Sequence, residues 1–445
     1  MEINSGDTAW ILASSALVLL MTPGLALFYG GMTRAKSVLN MMMMSFGALG
    51  LVTVLWMLYG YSLAFDDDAF GGLVGGLGKI GLKGTLTGVS GTLPETVFAS
   101  FQLMFAVITV ALISGAIADR AKFGAWMIFA GVWATLVYFP VAHWVFAFDG
   151  DTTQGGWIAN DLQALDFAGG TAVHINAGAA GLALALVLGK RKGWPRESFK
   201  PHNLPLVLLG AGLLWFGWFG FNAGSAVAAN NTAGIAFINT QVATAAAVLS
   251  WLVIEKVRDK HATTLGAASG AVAGLVAITP ACGSVNPVGA LIIGLLAGAV
   301  CALAVGLKYR LGFDDSLDVV GVHLVGGLAG SLLIGLLATD TVVADTNGLF
   351  YGGGLGLLGK QAVASFAVLG YSFVVTYIIG FIIKKTIGFR VDEEAEIEGI
   401  DTAVHAESAY DFVSGSSLRS GVVGGPAPAG INDQSVREAA PAGKE

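Results

Sequence analysis

Two stretches decide the fold: Asp166-Phe-Ala-Gly-Gly-Thr-Ala-Val-His174 and Asp315-Ser-Leu-Asp-Val-Val-Gly-Val-His323. Each sets an Asp eight residues ahead of a Val-His pair. After each His, Gly follows at the fourth position (Gly178, Gly327) and at the seventh (Gly181, Gly330). The histidines stand 149 residues apart. Both patches are polar insertions in long apolar surroundings, so the question is what those surroundings are.

The chain has 445 residues, of which 55% are hydrophobic and only 12% charged. Mean hydropathy is +0.74. Soluble domains carry about 25% charged residues, and a soluble chain this apolar could not cover its surface. The 64 glycines fit helices that approach closely in a membrane. Nothing in the net charge of −7 points to nucleic acid. The N-terminus, MEINSGD, lacks a positive region, so no cleaved signal peptide is expected. Cys282 and Cys301 fit no metal-ligand or redox spacing and read as packing residues.

Apolar runs long enough to cross a bilayer, about 20 residues, recur near 8–30, 39–64, 95–117, 124–146, 168–188, 204–224, 233–255, 264–280, 287–307, 319–338 and 361–383. The run 264–280 is the shortest and is rich in Gly and Ala. The basic residues test this division. Alternate loops hold Arg34 and Lys36; Arg120 and Lys122; Lys190, Arg191, Lys192, Arg196 and Lys200; Lys256, Arg258 and Lys260; and Lys308 and Arg310. The intervening loops hold only Lys79, Lys83 and Lys360. Basic loops stay in the cytoplasm, which predicts an N-terminus outside and a C-terminus inside. The expected fold is therefore an all-α membrane protein with eleven transmembrane helices, built as two inverted five-helix repeats plus a C-terminal eleventh helix. Repeat one runs over about 8–190, repeat two over about 204–338 and the last span over about 361–383, all within a domain 1–387. A cytoplasmic tail, 388–445, follows. Its first part, with the acidic run DEEAEIE at 392–398, reads as ordered. Its last thirty or so residues read as disordered.

Five spans before the duplication point insert the second half upside down. In transporters of that plan the site lies at the repeat interface near the midplane. The histidines fall in spans five and ten, which run antiparallel, so both reach similar depth. An ionisable side chain at such depth usually faces an interior or a pathway. A single buried His reads as readily as a helix-packing group; two at symmetric positions favour a route. A pair of neutral imidazoles shares a proton between ring nitrogens and offers a donor and an acceptor to a small polar solute. Two His without a third ligand make a poor zinc site, and no metal or cofactor is expected. Small-residue faces such as Gly266, Gly270 and Gly274, or Gly294 and Gly298, suit a compact bundle.

The motifs TPGLALFYGGMTR (22–34), FQLMFAVITVALISGAIADR (101–120), DFAGGTAVHINAGAAGL (166–182), GWFGFNAGSA (217–226), TPACG (279–283), DDSLDVVGVH (314–323) and GFRVDEEAEIEGID (388–401) resemble those of the ammonium transporters of the Amt/Mep/Rh family, and more closely its bacterial Amt branch. The match runs from span one to the tail. It implies ammonium and ammonia as cargo, with methylammonium as an analogue, and a homotrimer in the cell membrane with one pore per subunit. It implies an outer ammonium-recruitment site of aromatic faces and a hydroxyl, matched by Phe105, Ser225 and Phe146, with Asp166 beside it aiding cation binding and ordering the surrounding backbone. It implies a two-ring gate, Phe105 and Phe221, and the pore histidines His174 and His323. Phe146 departs from the family, which usually has Trp there, and Phe is the weaker cation–π partner. The tail match implies docking of a PII-type signal protein from inside. Aromatics in membrane helices also serve as packing or interface anchors, Ser225 also suits helix packing, and Asp166 also suits an N-cap. The rival functions are an ammonium sensor signalling through the tail and an Rh-like gas channel; a membrane enzyme is remote, because no nucleophile–base pair is in sight.

Overall fold

A computed structural model describes residues 2–150 and 153–410. The expectation of disorder for the last thirty or so residues lies outside the described residues. The helices that carry the architecture are α1 (Ser5–Met32), α2 (Val38–Phe65), α3 (Glu95–Ile117), α4 (Phe123–Phe146), α5 (Gly170–Leu188), α6 (Leu204–Gly224), α7 (Asn231–Asp259), α8 (Thr264–Ile278), α9 (Pro287–Leu311), α10 (Val320–Leu337) and α11 (Gly356–Thr386). All but α8 are long and apolar enough to cross a membrane, which makes ten among the described residues; α8, at 15 residues, is the shorter apolar helix. A short helix α12 (Glu393–Glu398) follows.

Local sequence starts these helices where it should. The side chains of Asn4, Asn203, Asn230, Thr263 and Asn286 each accept a backbone N–H three residues on, at 2.8–3.1 Å. Each cap satisfies one of the orphan donors of a helix start and is worth about 1 kcal/mol. Pro205 and Pro287 sit in first turns, where a missing N–H costs nothing. Helix α1 packs along α6, α7 lies between α8 and α9, and α11 lies against α5. Large apolar side chains remain exposed along the outer faces, among them Leu209, Phe216, Val253 and Phe366. Such extended apolar surface suits lipid rather than water, and the chain is a multi-pass membrane protein.

The two histidine-bearing helices, α5 and α10, run in opposite directions. Arg191, just past the end of α5, pairs with Asp314, just ahead of α10. At the other end, Gln361 of α11 donates to the carbonyl of Leu165, ahead of α5, at 2.7 Å and to Ser331, late in α10, at 3.1 Å. The start of α5 therefore lies beside the end of α10 and the reverse, so the two helices run antiparallel.

Residues 388–405 pack onto the loops that follow α1, α3 and α5. Lys122 donates its N–H to Phe389 and Val391 to Arg120. Asp401 accepts the N–H groups of Leu39 and Asn40 at the start of α2, at 2.9 and 2.8 Å. Arg390 holds Glu396, which accepts the N–H of Lys192. Burial pushes the Asp401 carboxyl above its ordinary value, against the pull of those two N–H groups.

Candidate functional site

The site is organised by one backbone device used twice. Asp166 accepts the N–H groups of Gly169, Gly170 and Thr171 at 2.7–2.8 Å, and the Thr171 hydroxyl besides. Asp315 accepts those of Val319 and Val320 at 3.1 and 2.7 Å. Three residues after each Asp the chain turns left-handed, at Gly169 (φ 116°) and at Asp318 (φ 63°). Glycine adopts that conformation freely and Asp tolerates it better than most residues. A wide, π-helical turn follows in each case, over Gly170–Ile175 and Val320–Leu324, and each contains the histidine. Those turns are frequent at functional sites.

The repeated glycines explain how the turns meet. A Cβ on Gly178 would sit 2.5 Å from the backbone nitrogen of Leu324, the neighbour of His323. A Cβ on Gly327 would sit 3.1 Å from the Cβ of His174. The fourth residue after each histidine thus clears space for the histidine turn of the other repeat. The result is a pair of buried, roughly stacked imidazoles, with centroids 5.4 Å apart and planes at 26°. Their Nδ1 atoms lie 3.3 Å apart, so one ring donates and the other accepts. His174 Nε2 is buried without a hydrogen-bond partner.

Above the pair stands a stack of aromatic rings. His174 lies against Phe221 (6.0 Å) and Trp218 (5.5 Å), and Phe221 against Phe105 at 4.4 Å. Phe105 in turn meets Phe101 at 4.9 Å. The cavity around the histidines, walled by Leu25, Phe28, Ile108, Leu112 and Trp218, is about 10 Å³, roughly one water probe in size. On the far side of Phe105 opens a vestibule of about 950 Å³. Phe105, Phe146, Asp166 and Ser225 all line it. Ser225 closes α6 and donates its hydroxyl proton to the Phe221 carbonyl at 2.8 Å, which leaves the oxygen lone pairs free to accept. Trp144 turns elsewhere: its indole N–H donates to Leu73 at 2.7 Å, and its ring packs on Tyr371 and Trp157. It is not among the residues that line the vestibule beside Phe146.

A buried network of charges stands ahead of α10, at the Asp315 turn. Arg191 grips Asp314 with two hydrogen bonds of 2.9 Å and reaches Asp119 at 3.1 Å. Arg120, fully buried, donates to the Asp314 carbonyl at 2.6 Å and to Ser316. Burial would raise the Asp314 carboxyl, but the Arg191 hydrogen bonds and the Arg120 charge outweigh it and hold it below its ordinary value. Burial lowers Arg120 to about 10, with Asp314 opposing. Asp315 is pushed up to about 6 by its burial, against the attraction of Lys308.

Sequence reasoning named the histidines, both Phe residues, Phe146, Ser225 and Asp166, and the structure brings them into one succession. It assigned no role to Trp218, although GWFGFNAGSA contains it. It also passed over Glu95, Phe98 and Gln102, which precede Phe105 at helical spacing and line the vestibule with it. Cys282 and Cys301 are buried, and no group of three or more His, Cys, Asp or Glu among the described residues converges as a metal site.

A model of the ammonium transporter family matches residues 9–410. The ammonium transporter of Mycobacterium tuberculosis (strain H37Rv) is 64% identical over 443 residues, covering 93% of this chain and 92% of the relative. That of Bacillus subtilis is 49% identical, over 92% of this chain and 99% of the relative. Among solved structures, Saccharomyces cerevisiae Mep2 superposes with a TM-score of 0.81 at 37% identity, over 88% of this chain and 89% of the other. A sensor Amt protein gives 0.83 at 29% identity, over 89% and 98%. With the match spanning all eleven apolar helices and both histidine turns, the chain belongs to the ammonium transporter family.

Proposed function

We propose that the chain carries ammonium across the cell membrane by recruiting the cation at the vestibule, removing its proton and passing ammonia over the histidine pair. The observation that supports this reading is the change of scale: a wide vestibule ends on packed Phe rings, beyond which lies the small, mostly apolar histidine cavity. Phe105 and Phe146 offer ring faces to a compact cation, and the free lone pairs of Ser225 accept an N–H. Asp166 fixes the backbone there, its oxygens being committed to N–H groups. Rings 4.4 Å apart leave no passage, so Phe105 and Phe221 must swing aside for each molecule. A bare cation in the apolar section would forfeit its hydration, whereas ammonia would not forfeit a charge. The hydrogen-bonded imidazoles provide a donor and an acceptor for ammonia and a relay for the separated proton.

The same reading takes α8 as a full span, shortened by close packing, which makes eleven spans. It places the tail in the cytoplasm, since the segment 388–405 docks on the Lys- and Arg-bearing loops that follow α1, α3 and α5. The resemblance supports a homotrimer and a PII-type protein docking on that face. Purified protein in liposomes should give an ammonium-evoked current, and His174 or His323 changed to Leu should abolish it or relax selectivity against potassium. Wild-type currents and selectivity in both variants would refute the histidine role. No current and no flux in the wild type would favour an ammonium sensor, in line with the similarity to a sensor Amt protein.

A further inference from the structure

At the rim of the vestibule, Lys79 puts its ammonium group 2.5 Å from Glu95 Oε1 and 5.6 Å from the centre of the Tyr61 ring. The Tyr61 hydroxyl donates to the same carboxylate oxygen at 2.9 Å. All three side chains line the vestibule, as does Phe98. The pair is not a solvent-exposed surface ion pair: side-chain exposure is 11% for Glu95 and 31% for Lys79. Nor is Lys79 there by chance rotation of a loop. Its backbone N–H is fastened to the Ser62 hydroxyl at 3.0 Å, and Ser62 in turn donates to Gly76.

A carboxylate beside an aromatic face is what recognises a small primary ammonium ion: the carboxylate takes N–H bonds and the ring takes the remaining charge. A lysine side chain is the protein group closest to that ligand in chemistry, an alkylammonium on a tether. Glu95 is also the first residue of α3, and Phe105 lies ten residues on along the same helix, about 15 Å deeper at 1.5 Å per residue. Glu95, Phe98, Gln102 and Phe105 fall on one stripe of that helix, and all face the vestibule.

We infer that Glu95 and Tyr61 form an outer ammonium-binding station, that Lys79 occupies it as a tethered competitor, and that cargo displaces Lys79 on its way down the α3 stripe to Phe105. This rests on ammonium being the cargo. A group tethered nearby competes at an effective concentration on the order of millimolar, so Lys79 weakens the apparent affinity for dilute ammonium and makes the station release what it captures. Removing it leaves the carboxylate open.

Initial ammonium-evoked currents should be recorded against ammonium concentration in proteoliposomes of the full chain carrying wild type, K79M, K79Q, K79R, K83M or K79M with E95Q. The expected result is a severalfold drop in half-saturating ammonium for K79M and K79Q, with maximal current retained. K79R should behave as wild type. K83M removes an exposed positive charge from the same loop and should leave half-saturation unchanged. The K79M/E95Q double variant should lose the gain. The inference is overturned by an unchanged half-saturation in K79M and K79Q, by an equal drop in K83M, which would make the effect one of bulk charge, or by a double variant that keeps the gain. A wild type without current removes the transport reading itself, and that outcome differs from every other.

Discussion

Asp166 and Asp315 both begin their histidine turns by accepting the N–H groups four and five residues on, yet one opens on a wide vestibule and the other is sealed in a charged wall. The outer carboxylate is held by N–H and O–H groups of its own turn. The inner one has Lys308 beside it, bonded to the Asp315 carbonyl and to Asp318, and stands next to the Arg191–Asp314–Arg120 network. One backbone device thus sits in two different surroundings. The Asp166 end opens on the vestibule, whereas the Asp315 end is braced by ion pairs that also bind loops after α3 and α5 to the start of α10. The tail fastens onto that same braced face.

The most severe break of this contrast is at the brace. D314A leaves Arg191 and Arg120 short of a buried partner and should cost about 3–5 kcal/mol of stability, read as a lower melting temperature of the detergent-solubilised protein. At the mouth the equivalent change should be read in flux. D166A unmakes at least three charge-assisted hydrogen bonds of about 1.5–3 kcal/mol each, and methylammonium uptake per folded molecule should fall by about two orders of magnitude. If D166A retains near-normal uptake, the outer cap is mere scaffolding. Next, G178A drives a Cβ against the Leu324 backbone and should cost about 1–3 kcal/mol, with uptake reduced through a displaced His323 turn.

Acidity separates the two inner carboxylates. Asp314 sits below its unfolded value, so its stabilisation is present above about pH 4 and is lost as pH falls through its lower folded value. Asp315, raised to about 6, binds its proton more tightly folded than unfolded. Its ionisation therefore lowers stability as pH rises from about 4 to about 6. Melting curves across that window should flatten in D315N; a slope identical to wild type would show that Asp315 does not titrate there. The smallest expected effect is at Phe146. F146W supplies a better cation–π face, worth about 0.5–1 kcal/mol, and should lower half-saturating ammonium by a few fold.

Much of this molecule can be read from residues alone because membrane helices announce themselves by length and apolarity, and because a duplicated site leaves a duplicated spacing. The +4 glycines are a case in point: the sequence shows that they recur, and only packing shows that each makes room for the other repeat's histidine turn. Trp218 escaped notice as a wall of the histidine cavity because an aromatic in an apolar helix has no distinguishing spacing. Its neighbour Thr279, which accepts its indole N–H at 2.8 Å, lies 61 residues away. The ion-pair wall was hidden for the same reason: Asp119, Arg191 and Asp314 come from three loops, and charges in loops read as solvated. Asp401 looked like one more acid in an acidic tail, and its capping of α2 rests on contacts some 360 residues apart in sequence.

The narrow, tightly packed histidine section has an electrical consequence. A vestibule of about 950 Å³ holds electrolyte and sustains little voltage, while a cavity of about 10 Å³ behind touching rings is an insulator. The membrane potential therefore falls across the packed section beyond Phe105 and hardly at all across the vestibule. Any charge crossing that whole section works against the membrane potential, at about 2.3 kcal/mol per 100 mV. Between arrivals of cargo the same stretch keeps the membrane from leaking charge.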